Sequence, residues 1–534
     1  MQPTLLQTQA KRPPSIDAIP LAAIGEGALD EATFKALEAD KLFQAMNSAK
    51  TLIGQVGLYR SLAYPLASLE AVQAKQEALR EIDANAELKK QIEELVGEAQ
   101  EREADFYRLL YGTFLGFFGN PANDLEVEGY GYEPYRRGTR FMLNLVERAK
   151  AMSAPRSAYL KDLFARLGSF ASSRSYALMH GPVYRTESAV ITRAEKHWYT
   201  PALKFRPTLF KPFFFLFFIG CLMGVFYFGG MTFLLPGVGS GSLFVTIVLP
   251  LVAICYVAMV ATYDRDNCII PLRNYFRDSG EVHQALEVLA QLDELLSLSH
   301  YAHNFVSYMT MPELYAAPRH ALKVTQARNP ILAKDNPLYV ANSIELDGNP
   351  LCFITGPNSG GKTAFCKTLA QIQLLAQIGS YVPASEVRLS VADAIFYQVP
   401  ASGSLEEAEG RFGAELKRTK AIFMAATAQS LVILDELSEG TTHEEKLDTA
   451  YTVLDGFYRK GNNTILITHN HQLVDLFVAK RIGVTRQVEF KEHEPTYRLI
   501  EGISRVSHAE RVARRIGFAK EDIDRHLNEQ RAGE

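Results

Sequence analysis

Paired cysteines are the first thing this 534-residue chain lacks. Its five, Cys221, Cys255, Cys268, Cys352 and Cys366, form no CxxC pair and no metal-ligand spacing. That excludes a small disulfide scaffold, argues against structural zinc and favours free thiols in a reducing compartment. Excess charge of either sign is missing too: 56 Lys plus Arg against 60 Asp plus Glu leave a net −4. The whole chain is therefore no magnet for nucleic acid, and an electrostatic partner has to be met by a local patch. Tryptophan occurs once, at Trp198, and there is no internal repeat or low-complexity tract. No apolar run near the N-terminus has the form of a cleaved signal peptide. At roughly 150 residues per domain, the length corresponds to three or four units.

One absence is local. Residues Phe213 to Tyr263 contain no Asp, Glu, Lys or Arg, so all 116 charges fall on the other 483 residues. Within this stretch Phe213–Leu235 is a 23-residue apolar run, Pro236–Ser242 (PGVGSGS) reads as a turn, and Leu243–Tyr263 is a 21-residue apolar run. As helices, both are long enough to cross a hydrocarbon core of about 30 Å, so the expectation is a transmembrane helical hairpin. A buried helical pair in a large core is the plainer alternative. Lys204, Arg206 and Lys211 before the first run, and Arg265, Arg273 and Arg277 after the second, orient the hairpin. They place both large parts in the cytoplasm, giving a multi-pass inner-membrane protein.

The expected organisation is multidomain, α plus α/β: a lead-in over 1–30, a helical part over 31–211, the hairpin over 212–263, returning helices over 264–319, and an α/β domain over 320–534. Arg136 to Lys211 holds 15 basic and 4 acidic residues, a local +11. Beside an expected membrane, the default partner for such a patch is membrane lipid with anionic headgroups; DNA phosphate is the sharper alternative.

Chemistry concentrates in the last domain. The apolar strand Leu351–Thr355 runs into Gly356-Pro357-Asn358-Ser359-Gly360-Gly361-Lys362-Thr363, which fits GxxxxGK[ST] between a strand and a helix. Glycines let backbone N–H groups curl around phosphates at a helix N-terminus, where the dipole also favours anions. Lys362 is placed to reach the β- and γ-phosphates of ATP, and the Thr363 hydroxyl to ligate Mg²⁺. A second apolar strand, Ser430–Leu434, ends in Asp435-Glu436, where the first carboxylate suits Mg²⁺ and the second suits orienting or deprotonating water. A third, Thr464–Thr468, ends in His469, positioned to sense the γ-phosphate, although a lone strand-end histidine is often structural. Three polar strand ends in this order point to ATP hydrolysis.

The segments TGPNSGGKT (Thr355–Thr363), GSYVPA (Gly379–Ala384), Leu431–Thr442 and ITHN (Ile467–Asn470) resemble the ATPase domain of MutS, the DNA mismatch repair ATPase. The resemblance extends back through Ala327–Asn342 and forward into Ser507–Ile523, covering about His320 to Leu527. It implies that Tyr339 stacks on adenine, and that Gly410, Arg411, Phe412 and Glu415 lie in the segment that reaches a neighbouring subunit's nucleotide. It thereby implies a homodimer. Weaker similarity over Leu58–Asp83 and Leu289–Phe305 resembles the core and lever helices, with the hairpin where a DNA clamp would stand.

Departures from the family pattern are specific. Nothing in the first hundred residues resembles the mismatch-reading domain or the connector after it. Gly410 replaces a serine, Ser438-Glu439 replaces Gly-Arg, and Asn470 stands where an aromatic is usual. The leading expectation is a membrane-anchored MutS-like ATPase that opens and closes a dimer. The rival is a tethered DNA-binding mismatch-repair-type factor. A transporter subunit and a non-hydrolytic scaffold stand further back.

Overall fold

The computed structural model of the protein describes residues 12–114, 129–209, 211–228, 249–357, 360–400, 410–437, 443–491, 494–505 and 516–533. The chain divides into two compact units.

The first unit comprises Met1–Ile19, Ala49–Gly57 and Ala84–Leu296. Its backbone is the long helix Ala86–Tyr111, capped by the Asn85 side chain accepting from Leu88 N at 3.1 Å. Leu88, Ile92, Leu95, Val96 and Phe106 recur at helical spacing and are buried, and Phe106 meets Phe141 of helix Tyr132–Ala151 at 5.7 Å between ring centres. Helices Ala158–Ala171 and Arg174–His180 follow. Next comes a small antiparallel sheet of β1 (Val183–Arg185), β2 (Val190–Ile191) and β3 (Leu203–Phe205), with β1 central. Buried carboxylates mark the start of helix Leu52–Ala63, whose residues up to Gly57 belong to this unit. Asp293 accepts from Lys50 N at 3.1 Å, Thr51 N at 2.8 Å and Thr51 Oγ1 at 2.6 Å, while Glu103 accepts from Leu52 N at 2.6 Å.

The uncharged stretch corrects an expectation. The first apolar run forms a helix over Pro212–Phe228 and the second over Leu249–Asp264, of 17 and 16 residues. Over the described residues, at 1.5 Å per residue, these helices reach about 25 Å, short of the roughly 30 Å of a hydrocarbon core. Among the described residues no helix is long and apolar enough to cross a membrane. The expected turn at 236–242 lies outside the described residues. The transmembrane hairpin, the multi-pass inner-membrane location and the lipid partner therefore lose their basis. What the stretch builds instead is a pair of helices joined by polar contacts at one end. The buried Asp264 takes Lys211 Nζ at 2.6 Å and the Tyr132 hydroxyl at 2.6 Å, and Lys211 N donates to the Tyr256 hydroxyl at 3.1 Å. A charge count over a window misses this anchoring because both ionic partners sit just outside it.

The second unit comprises Pro20–Ser48, Leu58–Asp83 and Ser297–Glu534. A four-stranded sheet has the order β4 (Glu313–Leu314), β8 (Glu386–Leu389), β5 (Leu322–Ala327), β6 (Asn342–Glu345). The main sheet has six strands, in the order β13 (Glu494–Glu501), β12 (Val484–Lys491), β7 (Leu351–Thr355), β11 (Asn463–Thr468), β10 (Leu431–Asp435), β9 (Ile395–Gln398). All neighbours are parallel except β12 and β13. Every residue of β7, β10 and β11 is buried, as expected of parallel strands covered on both faces. Phe353, Phe396, Val432, Leu434, Leu466, Phe457 and Phe477 share one core cluster. Parallel pairing sets the strand ends level: Thr355 faces Thr468, and Asp435 faces Ile467. Whatever follows these strands is thus gathered along one edge of the sheet, where open α/β sheets bind ligands.

Candidate nucleotide site

Residue by residue, that edge assembles the expected constellation. β7 ends at Thr355 and the chain turns at Gly356, φ 133°, to reach Gly361, φ 83°, immediately before helix Lys362–Gln377. Both conformations favour glycine, and a Cβ on Gly360 would meet Val488 Cγ2 at 2.7 Å, so the loop lies against β12. Asn358 and Ser359 lie outside the described residues.

Lys362 is 2% exposed and its ammonium donates to the Gly356 carbonyl. Burial pulls its pKa down to about 8, against the opposing pull of Glu436 and Asp435. A buried ammonium with donors to spare is suited to an anion such as phosphate. Thr363 Oγ1 donates to Asp435 Oδ2 at 3.0 Å, bringing a hydroxyl and a carboxylate from two different elements to one point. Oxygen donors of this kind, with room for waters and phosphate, are what Mg²⁺ requires, so the residues fit that ion. Burial raises the Asp435 pKa, with the Thr363 hydrogen bond acting the other way.

Glu436 follows in a left-handed conformation, φ 62°, with its N–H donating to Ile467 O of β11 at 3.0 Å. Its Oε1 stands 3.1 Å from His469 Nε2. Such backbone conformations in non-glycine residues are uncommon and persist where the surroundings enforce them. Here the conformation turns the carboxylate off the end of β10 towards the histidine. Asn470, the departure from the family pattern, caps helix His471–Ala479 by accepting from Leu473 N at 3.1 Å.

Tyr339 is half-buried, its phenol within hydrogen-bonding reach of Thr368 on the phosphate-loop helix; burial raises its pKa. Arg328 Nη1 holds the backbone of this loop, donating to Tyr339 O at 3.0 Å. Gly410, Arg411, Phe412 and Glu415 fall on helix Gly410–Ala425, and Glu415 is 5% exposed. Ser438 to Thr442 lie outside the described residues.

Sequence reasoning missed the polar residues beneath the site. Asn329 Nδ2 donates to both Thr368 Oγ1 and Gln371 Oε1 at 3.0 Å, and all three residues are buried. A signal was present: Thr368, Gln371, Gln373 and Gln377 are polar residues on faces of a helix that is buried nearly all round.

Comparison with known proteins agrees with this geometry. The family model described as MutS domain V matches residues 352–531. A DNA mismatch repair protein MutS from Prochlorococcus marinus (strain MIT 9301) is 32% identical over 265 residues, covering 48% of this chain and 29% of that protein. One from Desulforamulus reducens is 36% identical over 204 residues, 37% of this chain and 23% of its own length. The Endonuclease MutS2 of Lactiplantibacillus plantarum is 32% identical over 248 residues, 46% of this chain and 31% of its own. The chain thus spans less than a third of the length of these relatives, and the family-model match lies within the unit that holds the phosphate loop. Residues 352–531 thus match MutS domain V, about a third of the chain.

Proposed function

We propose that the protein is an ATP hydrolase that works as a homodimer, its two ATPase domains closing and opening as ATP is bound and hydrolysed. The observation that carries this reading is the Thr363–Asp435 contact at 3.0 Å beside the buried Lys362, with Glu436 and His469 paired one step along the same sheet edge. Backbone N–H groups from Gly356 to Gly361 and the Lys362 ammonium bind the β- and γ-phosphates. Thr363 and Asp435 would hold Mg²⁺, which when bound would neutralise charge on the phosphates. Glu436 orients the attacking water and accepts its proton, and His469 holds the Glu436 carboxylate in place and meets the γ-phosphate. Tyr339 packs on the base. Gly410, Arg411, Phe412 and Glu415 serve the partner copy's nucleotide. The test is phosphate release by the purified full chain with Mg²⁺ and ATP. Glu436→Gln is expected to bind ATP and release phosphate at least a hundred-fold more slowly; normal turnover in that variant overturns the assignment of the base.

A second reading, a DNA-binding repair factor, is favoured by the +11 segment Arg136–Lys211. There Trp198 is 95% exposed and Tyr199 66%, with Lys196 over the Tyr184 ring, and aromatic rings among cations suit bases and phosphates. Filter binding of homoduplex and mismatched duplex across a salt series separates the outcomes. A steep salt slope without mismatch preference means a basic surface alone.

A further inference from the structure

Residues 28–38 belong to the same unit as the phosphate loop, and their contacts have no part in the roles assigned above. Ile395 N donates to Ala28 O at 2.8 Å and Leu29 makes an isolated parallel bridge to Ile395, so this segment is pinned to the first residue of β9, the edge strand of the six-stranded sheet. Asp30, 3% exposed, follows at once. One of its oxygens accepts from Thr33 N at 2.8 Å, capping helix Glu31–Ala36, and both accept from an Arg418 guanidinium nitrogen at 2.9 Å. Arg418 also donates to Thr33 Oγ1 at 3.2 Å, which accepts the Tyr397 amide at 3.1 Å. A carboxylate buried this deeply is tolerable only while its cation stays, so the pair fixes the segment to helix Gly410–Ala425.

The other end of the segment grips the phosphate-loop helix. Glu38, left-handed at φ 54°, joins helix Glu31–Ala36 to helix Ala39–Met46, and its carboxylate accepts from Lys367 Nζ at 3.1 Å. The adjacent Leu37 O accepts from Gln371 Nε2 at 2.8 Å. Lys367 and Gln371 are one turn apart, so the segment seats on one face of that helix. From Gln371 the hydrogen bonds continue through Asn329 to Thr368, beside the Tyr339 phenol. Within eleven residues the chain therefore touches the helix that starts at Gly410 and the helix that starts at Lys362.

We propose that residues 28–38 are a strap that couples nucleotide occupancy at Lys362–Thr363 to the helix Gly410–Ala425, with Asp30 and Arg418 as positioning residues for turnover. The strap rests on the ATP-hydrolase reading, and it acts through the two helices without touching nucleotide. A strap that were merely structural would change stability alone. A coupling strap changes kcat while leaving nucleotide affinity in place, because the phosphate loop itself is untouched.

The test uses the full chain, reading kcat and KM for ATP, affinity for a fluorescent ATP analogue, thermal unfolding, and hydrogen exchange of residues 410–425 with and without ATP. Asp30→Asn is expected to lower kcat at least five-fold with nucleotide affinity within two-fold of the parent, and to abolish the ATP-dependent protection of 410–425. Arg418→Lys, which keeps a cation, is expected to fall between parent and Asp30→Asn. The charge-reversed pair, Asp30→Arg with Arg418→Asp, is expected to recover kcat relative to either single reversal. Unchanged kcat and unchanged protection in a folded Asp30→Asn overturn the proposal, as does a loss of stability with ATP-dependent protection intact. Should Asp30→Asn fail to fold, Glu38→Gln, at a partly exposed residue, decides by the same two readouts. A parent protein that binds ATP and releases no phosphate sinks the hydrolase reading, and the exchange measurement then decides the strap on its own: protection abolished by Asp30→Asn supports coupling, and protection unchanged refutes it.

Discussion

Glu103 supplies the sharpest pH test of the helical unit. Burial raises its pKa from 4.5 to about 7; the Leu52 and Ile53 amides oppose the rise and Asp293 adds to it. Oε1 accepts from Leu52 N at 2.6 Å, while Oε2 is buried with no hydrogen-bond partner among the described residues, as is the hydroxyl of Tyr107 one turn further along the same helix. Because the folded-state pKa lies above the unfolded value, the folded form holds a proton that the unfolded form has lost between pH 4.5 and about 7. Stability from this group is therefore complete below pH 4.5, declines through that window and levels off above pH 7. A rise of this size corresponds to about 3 kcal/mol. Glu103→Gln keeps an oxygen for Leu52 N and cannot ionise. The variant is expected to match the parent within about 0.5 kcal/mol at pH 4.5 and to exceed it by about 2–3 kcal/mol at pH 8.5. Urea unfolding at four pH values, supported by exchange of the Leu52 and Ile53 amides, provides the measurement. A difference that is constant with pH, or that grows towards acid, refutes the reasoning.

Other substitutions probe other joints. Gly54→Ala places a Cβ 2.1 Å from Asp293 Oδ2, and since that carboxylate is tied to three donors it cannot easily retreat; a loss of about 1–3 kcal/mol in chemical unfolding is expected. Lys362→Ala should abolish binding of a fluorescent ATP analogue with the fold intact by circular dichroism, and retained micromolar affinity would remove Lys362 from the site. Asp435→Asn should leave ATP affinity measurable and raise the Mg²⁺ concentration needed for half-maximal turnover at least ten-fold, because one of two converging oxygen ligands loses its charge. Asn470→Ala removes the cap of helix His471–Ala479 and should cost about 1 kcal/mol by thermal unfolding without altering ATP affinity.

How much of this was legible beforehand depended on whether the physics was local. The phosphate loop, Asp435, Glu436 and His469 were readable because each follows a short apolar strand, and the parallel register then brings those strand ends level with no further information. The uncharged stretch was misread because helix length is not set by composition alone. Residues 213–263 carry no charge, yet among the described residues no helix is long and apolar enough to cross a membrane, and the described helices Pro212–Phe228 and Leu249–Asp264 are joined at one end through Lys211 and Asp264, which lie just outside the counted window. The strap was invisible for a related reason. Asp30 reads as an ordinary helix cap and Arg418 as a solvated cation, and only the fold, closing a separation of 388 residues, turns them into a buried pair. The pair's consequence follows from where it sits. The helix that Arg418 belongs to also carries Gly410, Arg411, Phe412 and Glu415, the residues proposed to serve a partner's nucleotide, and the helix that Lys367 belongs to starts at the phosphate loop. With a strap tied to both, motion of one helix on ATP binding has to be taken up by the other or by breaking a buried ion pair.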